Sequence, residues 1–161
     1  MQAISSAKPE PKTTRNIMIA VMLIALLVLC GVGYLVLQSS KRTLWEQSPV
    51  IEYRAYQHFS TVFPKGATIH VTVRVEEGGP IDALLMSSGE FLYFENLVKG
   101  EVGSFQYFKE GSALNVKSID YEFTIPSDDR YFIVLNNAGH IEGGAVPIGP
   151  VTVYVKIVVS V

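Results

Sequence analysis

Between Ile17 and Leu37 the chain runs without a charge, an amide or a proline: Ile-Met-Ile-Ala-Val-Met-Leu-Ile-Ala-Leu-Leu-Val-Leu-Cys-Gly-Val-Gly-Tyr-Leu-Val-Leu. About 20 apolar residues at helical rise are what crossing a bilayer core requires. A helix apolar on every side has no polar face to turn to water, so it does not suit the surface of a small soluble domain. The run predicts a single transmembrane helix over 17–37, with the lipid bilayer as its partner. That divides the chain into a disordered cytoplasmic tail over 1–16, the membrane helix, a juxtamembrane linker over 38–49 and an extracytoplasmic domain over 50–161.

Two other fates compete for the same run. A cleaved signal peptide has an apolar core of about 7–15 residues and small residues at the cleavage site. Here the core is longer, and a cut after Ser39 or Ser40 places Leu37 or Gln38 at the −3 position. Leu27-Val28-Leu29-Cys30-Gly31 has the outline of a lipid-attachment motif, but Leu29 stands where a small residue is wanted. The uncleaved anchor fits best. Lys8, Lys12 and Arg15 in front of it favour a cytoplasmic N-terminus, with Lys41 and Arg42 behind it opposing that bias. Tyr34, Lys41, Arg42 and Trp45 are the expected membrane-interface residues. No Asp, Glu, His, Lys or Arg lies inside the run, which argues against ion or proton transport.

Charge separates the two parts. Of 13 Lys and Arg and 15 Asp and Glu, those from Thr43 onward number 8 and 14, a net of −6. Such a surface repels nucleic acid, so no nucleic-acid partner is expected. Cys30 is the one cysteine, and an intrachain disulfide is excluded. The outer domain must hold itself together by packing.

Its sequence reads as strands. Ile51, Tyr53 and Ala55 alternate with polar neighbours as a soft first strand, and Pro64-Lys65-Gly66 is a turn. Ile69, Val71, Val73 and Val75 then share one face, with Thr68, His70, Thr72, Arg74 and Glu76 on the other. Ile81–Met86 is a short strand. Ser88 is positioned to cap a helix over 89–99 that puts Phe91, Phe94 and Val98 on one stripe and stops at Gly100. Alternation returns at Ile119, Tyr121, Phe123 and Ile125. Tyr131–Leu135 is apolar on both faces, the mark of a covered central strand. Val151, Val153, Val155, Ile157 and Val159 face inward on the closing strand. Many short strands and one short helix predict a mainly β domain, an antiparallel β-sandwich.

The order of these signals resembles a known type. Phe63-Pro64-Lys65-Gly66 leads into Ile69-His70-Val71-Thr72-Val73. Then come Gly79-Pro80-Ile81-Asp82-Ala83-Leu84-Leu85-Met86, Tyr121-Glu122-Phe123-Thr124-Ile125-Pro126, Arg130-Tyr131-Phe132-Ile133-Val134-Leu135-Asn136-Asn137 and Val151-Thr152-Val153-Tyr154-Val155. This resembles the jelly-roll sandwiches of the bacterial pre-peptidase C-terminal domain, the Golgi-dynamics domain more loosely, and small membrane-anchored envelope proteins common in archaea. The resemblance implies a jelly-roll-like sandwich with accessory or binding work and no catalytic residues. The segment Ser88–Asn115 departs from the pattern as an insertion. Its aromatics Phe91, Tyr93, Phe105, Tyr107 and Phe108 are the candidate partner-contact residues, against the alternative that they are satellite core.

Signatures of chemistry are sparse. His58, His70 and His140 are scattered without metal-ligand spacing, and there is no G-x-S-x-G, phosphate-binding loop or H-E-x-x-H. Asp128-Asp129 with Asp82 or Glu142 would offer oxygens to Ca²⁺, but no Asp-x-Asp-x-Asp-Gly run is present and solvated turn acids explain them better. No catalytic residue, metal or cofactor is expected. The sequence points to a non-catalytic, membrane-anchored extracytoplasmic binding or scaffold module of the cell envelope. Its partner is a protein or a second copy; the alternative is a small accessory subunit of a larger membrane complex or homo-oligomer.

Overall fold

Valine-rich alternation and proline- and glycine-bearing turns set up the architecture. The computed structural model describes residues 21–28 and 41–160. The chain divides into two units at Ser40/Lys41. In the first, residues 21–28 are helical (α1) and exposed. Among the described residues no helix is long and apolar enough to cross a membrane. The rest of the expected span, with Cys30 and Tyr34, lies outside the described residues, as do the tail over 1–16 and the start of the linker.

The second unit is mainly β, two antiparallel sheets packed as a sandwich. Its strands are β1 (Lys41–Gln47), β2 (Val50–Ile51), β3 (Tyr56–Phe63), β4 (Thr68–Glu77), β5 (Ile81–Ser87), β6 (Ala113–Val116), β7 (Ser118–Thr124), β8 (Asp129–Asn136) and β9 (Val151–Ser160). One sheet has the order β1-β9-β4-β7, with β2 also on β9; the other has β3-β8-β5-β6. Every pairing is antiparallel.

Period-two alternation places the core. Ile69, Val71 and Val73 of β4 and the odd-numbered residues 151–159 of β9 face Phe59, Phe63, Ile81, Ala83, Leu85, Tyr131, Ile133 and Leu135 of the other sheet. Burying a side chain of this kind is worth roughly 1.5–3 kcal/mol. The four-stranded sheet is also covered outside. Helix α2 (Ser88–Val98) lays Phe91 and Phe94 onto Leu84, Met86 and Val134, which is why β5 and β8 are apolar on both faces.

The helix ends as its sequence dictates. Gly100 takes φ +89°, and N–H groups of Gly100 and Glu101 donate to the carbonyls of Leu97 and Asn96 at 3.0 Å. These are the paired bonds of a glycine-terminated helix. At the start, the cap position falls on Ser87, without a side-chain bond, instead of the expected Ser88. The Ser88 hydroxyl is engaged elsewhere, donating to Asp129 Oδ1 at 2.9 Å.

Two further expectations are corrected. Residues 41–47, read as linker, form edge strand β1 on β9, with a register shift between Thr43 and Trp45. Residues 52–55, read as part of a strand, are a tight turn in which Ala55 N–H donates to the Glu52 carbonyl at 3.1 Å. The strand itself comes later, as β3. Trp45, expected at the membrane interface, lies on β1 half-buried and packs on Phe59 at a ring separation of 5.8 Å.

Candidate functional site

Register separates the two ends of the sandwich. Lys41 and Thr68 both lie opposite Ser160, whereas Val50 and Glu77 lie opposite Thr152. The turns at 52–55 and 78–80 and the long β8–β9 connection therefore gather at the end away from Lys41. Here Val50, Tyr53, Val146 and Ile148 are exposed, the last two to 73% and 77%. Tyr53, Arg54, His140, Val146 and Pro147 line a cleft of about 400 Å³ between the turn and the connection.

Arg54 closes the turn in a left-handed conformation, φ +58°, uncommon for a residue with a Cβ. Its guanidinium lies 5.2 Å from the centre of the Tyr53 ring. A cation at this distance over an aromatic face is attracted by the ring quadrupole. The pair forms one amphipathic projection.

A buried polar network holds these loops. Asn137 donates from Nδ2 to the carbonyls of Glu52 and Gly149 at 3.1 and 2.9 Å, and its N–H donates to Ala55 at 2.9 Å. Asp82, fully buried, accepts from the N–H groups of Asn115 and Ala145 at 2.9 and 2.7 Å and from Asn136 Nδ2 at 2.9 Å. Gly144 packs so closely that a Cβ there would lie 2.7 Å from Asp82 Oδ2. Neither Asn136 nor Asn137 is a solvated turn residue; both are buried. Loops positioned by a rigid scaffold are where binding residues concentrate.

The sequence candidates spread over the inserted segment. Phe91 is buried against Phe132, ring centres 3.9 Å apart, and Phe105 packs edge-on to Phe94 at 5.3 Å. Phe108 packs on Phe123 and Tyr131 at the margin of the main core. Tyr107 is half-buried beside Phe105. Tyr93 alone of the five stands in solvent, 58% exposed; its neighbour Leu92 is exposed as well, as is Val102 past the end of the helix. A second cleft of about 250 Å³, lined by Ser87, Glu90, Gln106, Tyr107 and Phe108, lies under this segment. Glu90 closes part of it by accepting the Gln106 N–H at 2.6 Å. Tyr56 marks the seam, donating to Glu95 at 2.8 Å, and burial with that bond pushes its hydroxyl up to about 12.

The outer face of the five-stranded sheet carries a different pattern. His70 Nε2 and Asp120 Oδ1 lie 2.7 Å apart, and Thr72 donates to Asp120 Oδ2 at 2.8 Å. These bonds, His70 first, hold the Asp120 carboxyl below its usual value. The hydroxyl serves the carboxylate and not the imidazole, so the three do not make a nucleophile–base pair. Asp128 and Asp129 are occupied by Lys65 N–H, Ser88 and Arg130 N–H, at the end of the sandwich away from Asp82. Among the described residues no group of three His, Cys, Asp or Glu is placed to hold a metal ion.

The loop-end residues escaped sequence reasoning because nothing periodic marks them. A left-handed non-glycine residue leaves no local signature, and Asn136-Asn137-Ala138-Gly139 reads as an ordinary polar turn. Two prolines flanking Ile148, at 147 and 150, were the available hint that an apolar residue is held in a fixed loop.

No family model matches the chain, and no curated protein matches it. Among solved structures it is similar to PliG of Aeromonas hydrophila, a periplasmic inhibitor of g-type lysozyme, at 13% identity over 72% of this chain and 85% of that one, TM-score 0.42. It is also similar to a mutant of the Escherichia coli PliG at 12% identity over 75% and 88%, TM-score 0.38. The Salmonella Typhimurium PliG is similar at 18% identity over 73% and 87%, TM-score 0.37.

Proposed function

We propose that this chain is a non-catalytic binding module tethered by residues 17–37 to a membrane of the cell envelope, with its sandwich on the extracytoplasmic side. The observation that carries the reading is the loop end away from Lys41, where Val50, Tyr53, Val146 and Ile148 stand exposed around a cleft edged by Arg54 and His140. Apolar surface rimmed by polar groups is the pattern of a protein-contact site. Tyr and Arg are the residue types that most often dominate such contacts. The strand order, with long strands alternating between the sheets, supports reading the sandwich as the jelly-roll type.

A photo-crosslinking residue placed at Tyr53 or Ile148 in living cells is expected to capture the same protein from either position. One placed at Thr72, on the open sheet face, is expected to capture none of it. Equal capture from Thr72, or none from the loop end, rejects the loop end as the binding surface.

Exposed Leu92, Tyr93 and Val102 favour a second reading, in which the inserted segment docks the chain as an accessory subunit of a larger complex. Crosslinking from Tyr93 instead of Tyr53 distinguishes it.

A further inference from the structure

The turn at 52–55 holds an arginine where its backbone favours glycine. Arg54 stands at φ +58°, a conformation that costs a residue with a Cβ and that glycine adopts freely. The other positive-φ positions among the described residues are five glycines and Asn115. The guanidinium does not secure the fold by charge pairing. Among the described residues the ion pairs join His70 to Asp120, Arg74 to Glu76 and Lys156 to Glu46, and none includes Arg54. Its contact is the ring of Tyr53, itself 49% exposed. Backbone strain retained under an exposed side chain clusters at binding sites.

The cleft that Arg54 edges is chemically unlike the rest of the domain. From Thr43 onward acids outnumber bases 14 to 8. Yet the polar side chains of this cleft are Arg54, His140 and Tyr53. Ala138, Val146 and Pro147 supply apolar lining, and no carboxylate lines it. Glu52 and Glu142, the acids nearest in sequence, lie outside the lining. His140 is exposed and, like Arg54, has no ion pair among the described residues. Donors gathered in a concavity, with the acids kept out of it, select an anionic group. At about 400 Å³ the cleft admits a side chain or two and no folded element.

We propose that this cleft receives the carboxylate of an Asp or Glu side chain on a partner protein, flanked there by apolar residues. The inference rests on the reading of the loop end as a protein-contact site and names the group that the site holds. The planar guanidinium matches both oxygens of a carboxylate, and the Tyr53 ring beneath it fixes its plane. Val146 and Pro147 meet the apolar neighbours. Val50 and Ile148, exposed at the same end, lie outside the cleft, so apolar contact continues past it. A segment running through the cleft covers that surface as well; a chain terminus seated in it does not.

The test titrates the full chain in detergent micelles with three peptides and follows the amide NMR shifts of Gly139 and His140. The first is Gly-Leu-Glu-Leu-Gly blocked at both ends, the second has Gln for Glu, and the third is the Gln peptide with a free C-terminal carboxylate. The blocked Glu peptide is expected to bind about tenfold or more tightly than the blocked Gln peptide. Arg54→Gly is expected to abolish that preference while the thermal midpoint holds or rises, because glycine suits the turn. Arg54→Lys keeps the charge without the fork and is expected to fall between. Equal binding of the two blocked peptides, or none by either, overturns the proposal. So does a preference that survives Arg54→Gly, or tightest binding by the free-acid peptide, which assigns the cleft to a chain terminus. A lowered midpoint in Arg54→Gly also overturns it, by showing that the arginine is kept for its packing on Tyr53. Crosslinks from Tyr53 and Ile148 that persist in Arg54→Gly leave the loop end as the binding surface and reject the carboxylate alone. A Glu peptide that binds where those crosslinks fail does the reverse.

Discussion

Asp82 is a carboxylate in the core with three donors and no cation against it. Two backbone N–H groups and one amide satisfy it, and those donors belong to β6, to the end of β8 and to the loop that carries Val146. Asp82→Ala leaves all three buried donors unpaired and is expected to destabilise the domain by about 3 kcal/mol or more, read by urea denaturation. A smaller shift would mean that the loop rearranges to re-pair them. Glu46 and Asp120 act on the surface with a sign that can be worked out. Bonds from Lys156 and Tyr154 lower Glu46; bonds from His70 and Thr72 lower Asp120. Their folded values lie below the ordinary 4.5 and 3.8, so their stabilisation is present above those values and lost as pH falls through the lowered ones. Asp120→Asn with Glu46→Gln is expected to flatten the acid limb of a plot of urea midpoint against pH. An unchanged acid limb would show that these bonds do not survive in solution.

At the scale of elements, the helix separates packing from exposure within one turn. Phe94 is fully buried, whereas Tyr93 faces solvent. Phe94→Ala is expected to cost about 3–5 kcal/mol, while Tyr93→Ala should stay within about 0.5 kcal/mol. Comparable losses in thermal or urea unfolding would show that Tyr93 is packed in solution. The i, i+3, i+7 stripe of Phe91, Phe94 and Val98 and the stop at Gly100 were legible because helix period and helix termination are local. So were β4, β7 and β9, whose alternation is nearly unbroken, and β5 and β8, which are short runs apolar on both faces. Strands β1 and β3 were not. In β1 the register shift at Leu44 breaks the alternation and charges crowd both ends. In β3 the polar Gln57 and Thr61 share the face of Phe59 and Phe63, so no apolar alternation announces it. Only pairing with β9 and β8, distant in sequence, makes either of them a strand.

For the whole molecule, the sandwich was readable and the loop end proposed to bind was not. Core positions follow from side-chain period, a property of each segment alone. The loop end exists because Tyr53, His140 and Val146, far apart in sequence, are brought together by Asn137 reaching across to the carbonyls of Glu52 and Gly149. The proposed tether gives a direct expectation. Protease added outside intact cells should remove the unit beginning at Lys41, and full protection would reverse the assigned orientation.

Strand β9 has a consequence in time. It pairs with β1, β2 and β4, so three segments from earlier in the chain depend on residues 151–160 for their hydrogen bonds. A chain emerging from the N-terminal side has to hold β1 and the open edge of β4, whose other edge pairs with β7, apart until that segment arrives. Non-local pairing of this kind is slow to form and leaves edges open meanwhile. Until β9 is in place the five-stranded sheet cannot close, so completion of the sandwich waits on residues 151–160.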